Sequence, residues 1–288
     1  MRELEFFLQS FILINFKIFF MEIVNRKKIE DILRNEKFSE KPFSNIVIDH
    51  FLNDEYFNEI SSKLDFMEKK NLKEKKLFSS LVEKKEISLN SILPKEFDKI
   101  LKYLSSDEWI SFLSKISNIE NIYPAEVDNS KLANFHQMNV GGYLGPHVDH
   151  SNDPSKGFPH VLNVILYLTP NWNDSYGGHT ILFDKQGKQV VKKIEYQSNR
   201  LVIFLHSPYT FHGVTKINEN CKMKRSTMYF DYYSKATNPY KMLNVNFKSF
   251  FFKHNTTFIL PRFRDYFKKE NKKYLKSYIK YKINKFKK

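Results

Sequence analysis

Two histidines and one aspartate are the residues of this sequence whose types and spacing best suit metal chemistry. His147 and Asp149 are two positions apart. On a β-strand the side chains of residues i and i+2 leave the same face, so an imidazole and a carboxylate can converge on one point. His212, some sixty residues later in Phe211–Val214, is the candidate third ligand. Such a set occupies one face of an octahedral ion and leaves three positions open.

A series of further motifs gives this His-x-Asp pair a context. Two histidines and one carboxylate are the ligand set of non-haem Fe(II) oxygenases. Downstream come, in order, Tyr167-Leu168-Thr169, Gly177-Gly178, the strand-like run 199–204, His212-Gly213-Val214 and Arg225-Ser226-Thr227. With these motifs, the sequence resembles the 2-oxoglutarate/Fe(II)-dependent dioxygenases, specifically their prolyl 4-hydroxylase-like branch. The resemblance extends from about Pro42 to Ser234.

The resemblance implies a cofactor, a cosubstrate and a reaction. Fe(II) would be held by His147, Asp149 and His212. O2 would oxidatively decarboxylate 2-oxoglutarate to succinate and CO2, and an unactivated C–H bond of a prolyl, peptidyl or small-molecule substrate would be hydroxylated. Ascorbate is an optional reductant. The C–H step needs no side-chain acid or base, and the sequence shows no catalytic dyad.

The distal carboxylate of 2-oxoglutarate needs a buried cation. Arg225 is the candidate, because a guanidinium matches a carboxylate with two parallel hydrogen bonds. It opens a β-type run and lies thirteen residues after His212, slightly farther than is common in the family. Lys222 and Lys224 are the alternatives.

Three other side chains are predicted to contact the cosubstrate. The resemblance matches Tyr167 to a family tyrosine whose hydroxyl binds the same carboxylate, and Thr227 could add a second hydroxyl. Gln137 lies ten residues before His147, where some relatives have a cosubstrate-contacting tyrosine. Asn139, on the same face of an extended run, is an equal alternative to Gln137.

Other polar residues near these motifs are not expected to bind the metal or the cosubstrate. Four further histidines could attract a metal, but each is better explained as a residue beside the site: His150, His160, His179 and His206. His179 follows the Gly-Gly turn and is expected to face the pocket mouth. Arg200 is interpreted as a structural anchor at the entry of its strand.

Short β-type runs separated by turn residues begin near Leu132. Eight such runs at this spacing predict a double-stranded β-helix, the jelly roll of cupin-like proteins, in a mainly β protein with flanking helices. The runs are 132–140, 145–150, 161–168, 179–184, 188–195, 200–205, 213–216 and 226–233.

Helices are predicted before this core. Asp54 can cap a helix to about Leu64, and residues 94–119 carry apolar side chains at helical spacing. The Lys- and Glu-rich segment 65–94 between them predicts a solvated helix or a loop, with a mobile lid as one form of that loop. The predicted dioxygenase domain spans 42–235, with helical support over 54–119 and the jelly-roll core over 132–234.

The basic charge of the chain is concentrated after the predicted domain. Residues 241–288 contain 15 basic and 2 acidic side chains, which leaves 32 basic and 30 acidic ones in 1–240. The nearly neutral core argues against a nucleic-acid-binding surface there. The aromatic-rich tail 236–288 either packs back on the barrel or contacts an anionic surface. The alternative to an enzyme is a non-catalytic jelly-roll module that binds an anionic surface through this tail.

The N-terminal extension, residues 1–41, is partly apolar and then charged. Its apolar run is interrupted by polar residues and matches neither a spanning helix nor a secretory signal. Met21 is an alternative start, and an apolar surface helix is the next interpretation. The single cysteine, Cys221, excludes a disulfide framework and fits a reducing compartment. We expect a cytoplasmic protein, with peripheral membrane contact as an option.

Overall fold

The structure is a computed structural model, and it describes part of the chain. The described residues are 23–35, 38–66, 93–126, 135–150, 152–153 and 155–236, with the backbone of 75–79, 83–88 and 250–251. The predictions for residues 1–22 and for nearly all of the tail lie outside these ranges. Within them, no helix has both the length and the apolar character that crossing a membrane requires.

The described ranges contain short helices followed by many strands. The α-helices are α1 (Arg26–Asn35), α2 (Asp54–Ser61), α3 (Asp98–Tyr103) and α4 (Asp107–Ser117). The strands are β1 (Asn45–Ile48), β2 (Lys75–Ser79), β3 (Glu83–Ser88), β4 (Ile122–Pro124), β5 (Phe135–Met138), β6 (Tyr143–Val148), β7 (His160–Tyr167), β8 (Thr180–Phe183), β9 (Val190–Ile194), β10 (Leu201–Leu205), β11 (His212–Val214), β12 (Arg225–Ser234) and β13 (Phe250–Phe251).

The strands form antiparallel sheets that wrap into a jelly roll. Neighbours follow the order β1-β10-β7-β12-β5-β3-β6-β11-β8-β9, with β4 on β12, β2 on β3 and β13 on β6. Each of the eight predicted runs overlaps a strand, and their ends differ by at most three residues. The predicted fold class, a double-stranded jelly roll with helical flanks, is therefore confirmed.

The long strand β12 has two different faces. Met228, Phe230 and Tyr232 enter the large apolar core that the helices share. The alternate residues Arg225, Thr227, Tyr229 and Asp231 point to the other face, which is the barrel interior. β12 pairs with β7 from Thr227↔Tyr167 to Tyr233↔His160, so residues of β7 line the same interior.

The helices cover the apolar side of this sheet. Trp109 of α4 is fully buried and donates from Nε1 to the hydroxyl of Tyr232 at 2.8 Å. Ile29 and Ile32 of α1 join the same core. The packed unit thus begins before the boundary predicted at residue 41.

The segment 65–94 differs from its prediction as a solvated helix or loop. β2 and β3 form an antiparallel hairpin, and β3 continues the sheet by pairing with both β5 and β6. Its lysines and glutamates favour a helix in isolation, but ladder pairing with two neighbouring strands overrides so weak a propensity.

Candidate active site

The structure brings His147, Asp149 and His212 together. His147 on β6 lies directly opposite His212 on β11 in the antiparallel register, and Asp149 follows the end of β6. The Nε2 atoms of His147 and His212 lie 3.3 and 3.2 Å from the two carboxylate oxygens of Asp149. One ligand atom from each residue falls within 4.8 Å of the others, which suits a single metal ion.

Backbone carbonyls fix the orientation of both imidazoles. Nδ1 of His147 lies 2.9 Å from the carbonyl of Gly145, and Nδ1 of His212 lies 3.1 Å from that of Thr210. A carbonyl only accepts, so each Nδ1 carries a proton, and in the neutral form of the ring Nε2 is then the nitrogen that can bind a metal. This outer hydrogen bond is the usual way to set the tautomer of a metal-binding histidine.

The protonation states in this cluster also suit a metal. Burial would raise the pKa of Asp149, but His212 and His147 hold it well below its usual value. Burial and the neighbouring His212 lower the pKa of His147. The pair therefore offers a carboxylate and a neutral imidazole near pH 7, the forms in which these side chains bind metals.

Arg225 is a buried cation at the start of β12, only 2% exposed. Its Nε donates to the carbonyl of Gly178 at 2.6 Å, and its Cζ lies 5.3 and 4.8 Å from the ring centres of Tyr167 and Tyr196. Burial lowers its pKa, but a guanidinium stays charged at any working pH. No carboxylate of the described residues forms an ion pair with it.

Gly178 is required by this packing. Its φ is +73°, and a Cβ there would lie 3.0 Å from Cδ of Arg225 and 3.2 Å from Cζ2 of Trp172. A larger residue would thus push the guanidinium out of place. The second glycine of the Gly-Gly motif is explained by the contact with Arg225.

Tyr167 lies beside Arg225, and Thr227 is two residues after Arg225 on the same face of β12. Their predicted contact with the cosubstrate carboxylate stays a prediction. They are opposite each other in the β7–β12 register, and the hydroxyl of Tyr167 lies 2.5 Å from Oγ1 of Thr180. Tyr196 stacks on Tyr167 with ring centres 4.5 Å apart and was not predicted. It lies in the loop after β9, where neither strand alternation nor a motif singles it out.

Gln137 lies away from this group. It pairs with Ser226, whose side chain points to the face of β12 opposite to that of Arg225 and Thr227. Its Nε2 donates to the carbonyl of Leu64 and to Oγ of Ser226. The structure therefore does not bring Gln137 to the predicted cosubstrate pocket, because the strand register turns its side chain to the helical side. The alternative, Asn139, is exposed beyond the end of β5.

The other histidines lie around the site rather than in the ligand set. His160 stacks on His206 and on His150, with ring centres 4.2 and 4.9 Å apart. Nε2 of His160 lies 3.1 Å from Oδ1 of Asp231. His179, near the end of the Gly-Gly turn, accepts from the backbone N–H of Tyr196 through Nδ1.

Tyr229 is a further residue of the site that was not predicted. Its hydroxyl lies 3.1 Å from Oδ2 of Asp149 and 2.5 Å from Oδ1 of Asn163. The sequence did contain a signal for Tyr229, because every second residue of a strand that begins at Arg225 lies on the same face as Arg225. Arg200, in contrast, binds Asp49 through two nitrogens, in the structural role predicted for it.

The donor set fits Fe(II) and 2-oxoglutarate. Two imidazoles and a carboxylate converge on one point, which is the facial set of non-haem iron sites. A buried guanidinium without an acidic partner among the described residues is costly unless a ligand supplies the anion. The distal carboxylate of 2-oxoglutarate supplies such an anion.

Comparison with known proteins agrees with this geometry. Residues 133–231 match the model of the 2OG-Fe(II) oxygenase superfamily. The prolyl 3-hydroxylase OGFOD1 of Mus musculus is 30% identical over 185 residues, covering 61% of this chain and 30% of that protein. Its Xenopus laevis counterpart is 27% identical over 194 residues, covering 64% and 34%. The chain thus spans about a third of the length of these curated relatives.

A solved structure shares the fold. The prolyl-4-hydroxylase of Pseudomonas putida superposes with a TM-score of 0.52 at 15% identity, covering 73% of this chain and 98% of that one. From the family model over residues 133–231, the curated relatives and the site together, this chain is similar to the 2-oxoglutarate/Fe(II) oxygenases and to the prolyl hydroxylases among them.

Proposed function

We propose that the protein is an Fe(II)- and 2-oxoglutarate-dependent dioxygenase that hydroxylates a prolyl residue of a peptide or protein. The observation that carries the reaction is the convergent His147, Asp149 and His212 set in one barrel with the buried Arg225, which has no acidic partner among the described residues. The names of the two curated relatives, both prolyl 3-hydroxylases, support the substrate class.

Each group of residues has a part in this function. Bound iron would supply the activation of O2 that decarboxylates 2-oxoglutarate and hydroxylates the substrate, yielding succinate and CO2. His147, Asp149 and His212 would hold the metal. Arg225 binds and orients the distal carboxylate of the cosubstrate, and the Tyr167 ring closes the wall beside it.

Binding is tested by anaerobic titration with Fe(II) and 2-oxoglutarate. We expect the weak visible charge-transfer band of the chelate to appear in the wild-type protein and to be absent in the folded His212→Ala variant. A wild-type protein that binds the metal without forming the band would contradict the assignment of the cosubstrate pocket.

The substrate class is tested separately, by turnover. The iron-loaded protein is incubated with 2-oxoglutarate, O2 and a library of peptides that each contain one prolyl residue, and mass spectrometry detects gain of one oxygen atom. We expect oxygen in a subset of peptides, and neither oxygen nor succinate with Asp149→Ala. Succinate without oxygen in any peptide would refute the prolyl substrate and leave the oxygenase assignment standing.

A further inference from the structure

Tyr229 occupies the middle of the inward face of β12, between Arg225 and Asp231. It lies opposite Ile165 of β7 in the register, and its ring stacks on that of His136 with centres 5.7 Å apart and an angle of 16°. The strand and this stacked ring set the direction of the phenol. Its hydroxyl consequently points at a fixed place in the barrel.

That place is the metal-binding carboxylate. The hydroxyl lies 3.1 Å from Oδ2 of Asp149, while Oδ1 of Asp149 lies 3.3 Å from Nε2 of His147. A carboxylate on a flexible side chain can present one or both oxygens to a metal. A hydrogen bond to Oδ2 restricts the rotation of the carboxylate and so keeps Oδ1 facing Nε2 of His147 and Oδ2 facing Nε2 of His212.

Asn163 completes the arrangement from β7. It is fully buried, its Oδ1 lies 2.5 Å from the hydroxyl of Tyr229, and its Nδ2 has no hydrogen-bond partner in the described part of the chain. The phenol has one proton, and the carboxylate of Asp231 is a further acceptor beside Asp149 and Asn163, so the phenol cannot donate fully to all three. An amide can turn either end to a hydroxyl. With Nδ2 turned to Tyr229, Asn163 donates to the phenol oxygen and Tyr229 donates to Asp149.

We propose that Tyr229 is a positioning residue that, held by Asn163, donates a hydrogen bond to Asp149 and fixes the carboxylate in its metal-binding orientation. The inference rests on the proposed function, because it assigns a role around the same metal. Outer hydrogen bonds of this kind typically change metal affinity or activity by about 10- to 100-fold. Arg225 lies four residues away along β12, so binding of the distal carboxylate of 2-oxoglutarate does not depend on the phenol.

The chain offers a matched pair of variants. Tyr229→Phe removes only the hydroxyl and keeps the ring that stacks on His136. Tyr233→Phe removes the hydroxyl of another buried tyrosine on the same face of β12, which lies 2.8 Å from Nε2 of His150 rather than against a metal ligand. Circular dichroism and thermal unfolding show whether each variant is folded.

The measurement is the anaerobic dissociation constant for Fe(II), with the position of the Fe(II)–2-oxoglutarate band as a second signal. We expect Tyr229→Phe to weaken Fe(II) binding about tenfold or more and to shift the band. Tyr233→Phe should leave both signals at the wild-type values. Equal Fe(II) affinity and an unshifted band in the two variants would overturn the proposal.

A double-mutant cycle tests the contribution of Asn163. Asn163→Leu should weaken Fe(II) binding in the wild-type background and have no further effect on it in Tyr229→Phe, because the amide acts through the phenol. Should Tyr229→Phe not fold, Asn163→Leu alone decides: weaker binding supports the proposal, and unchanged binding overturns it. Wild-type protein that binds neither Fe(II) nor 2-oxoglutarate would refute the proposed function, and the role of Tyr229 with it.

Discussion

The inward face of β12 carries two buried charges, Arg225 near one end and Asp231 near the other. They are six residues apart, which is about 20 Å along a strand. Arg225 is bordered by aromatic rings and the carbonyl of Gly178, and no acidic residue of the described ranges pairs with it. Asp231, equally buried, lies 3.1 Å from Nε2 of His160 and 3.7 Å from Nε2 of His150.

The difference separates a ligand-binding charge from a structural one. A buried charge is stable when it is paired and hydrogen-bonded, and costly when it is not. At Asp231 the fold itself provides the partner, so that charge belongs to the scaffold. At Arg225 a partner is missing among the described residues, which is the arrangement expected where a ligand brings the opposite charge.

Replacing Arg225 should give the largest effect. Arg225→Met removes the partner of the cosubstrate carboxylate, and losing one side of a buried charged pair costs about 2–5 kcal/mol of binding. The KM for 2-oxoglutarate should therefore rise about 30-fold or more. Succinate formation against 2-oxoglutarate concentration measures this. Without ligand, the thermal unfolding temperature should change little, because the loss of the hydrogen bond to the carbonyl of Gly178 is offset by the removal of a buried charge that has no acidic partner among the described residues. An unchanged KM would assign the carboxylate to Lys222 or Lys224.

Replacing Asp231 should instead affect folding. Asp231→Asn breaks the ion pair with His160, and breaking a buried pair costs about 3 kcal/mol of unfolding free energy. Denaturant unfolding of the ligand-free protein measures it. Asp174→Asn is the control, since that carboxylate lies 3.5 Å from His179 but is well exposed, and exposed pairs contribute about 0–1 kcal/mol. Similar losses of unfolding free energy in the two variants would contradict the structural role assigned to Asp231.

The pH dependence of stability tests whether His160 is charged beside Asp231 in the folded protein. Burial would lower the pKa of His160, but the carboxylate of Asp231 raises it above the usual value. Acceptors face both ring nitrogens, namely the carbonyl of His150 at Nδ1 and Asp231 at Nε2, which also favours the imidazolium. The pKa of His160 in the folded protein is thus above the unfolded value of about 6.5. The stabilisation that the His160 imidazolium provides is therefore complete below about pH 6.5 and is lost as the pH rises through the folded pKa.

The measurement is the difference in unfolding free energy between wild type and His160→Gln from about pH 5.5 to pH 9. We expect the difference to shrink as pH rises. Taking a difference is necessary because burial lowers the pKa of His150 and of His206, and these contribute in the opposite direction. A difference that grows with pH would show that His160 is neutral in the folded protein.

Much of the fold and the metal site could be predicted because local rules determine them. The jelly roll followed from strand spacing, and the His147–Asp149 pair from the two-residue repeat of a strand. Partners that depend on register could not be read in this way. Tyr196 contacts Tyr167 from a loop, where no strand pattern indicates the contact. The hairpin of β2 and β3 forms despite helix-favouring residues, because β3 pairs with the distant strand β5.

Replacing Gln137 should give the smallest effect on cosubstrate binding and stability. It tests directly whether the strand register determines the direction of this side chain. Counting residues back from His147 suggested a cosubstrate contact, whereas pairing with Ser226 turns the side chain towards the carbonyl of Leu64. Gln137→Ala should therefore leave the KM for 2-oxoglutarate unchanged and lower the unfolding free energy by about 1 kcal/mol, the usual net contribution of a hydrogen bond. Succinate kinetics and denaturant unfolding measure the two quantities. A raised KM with unchanged stability would place Gln137 in the pocket and would mean that β5 pairs with β12 one residue out of the register described.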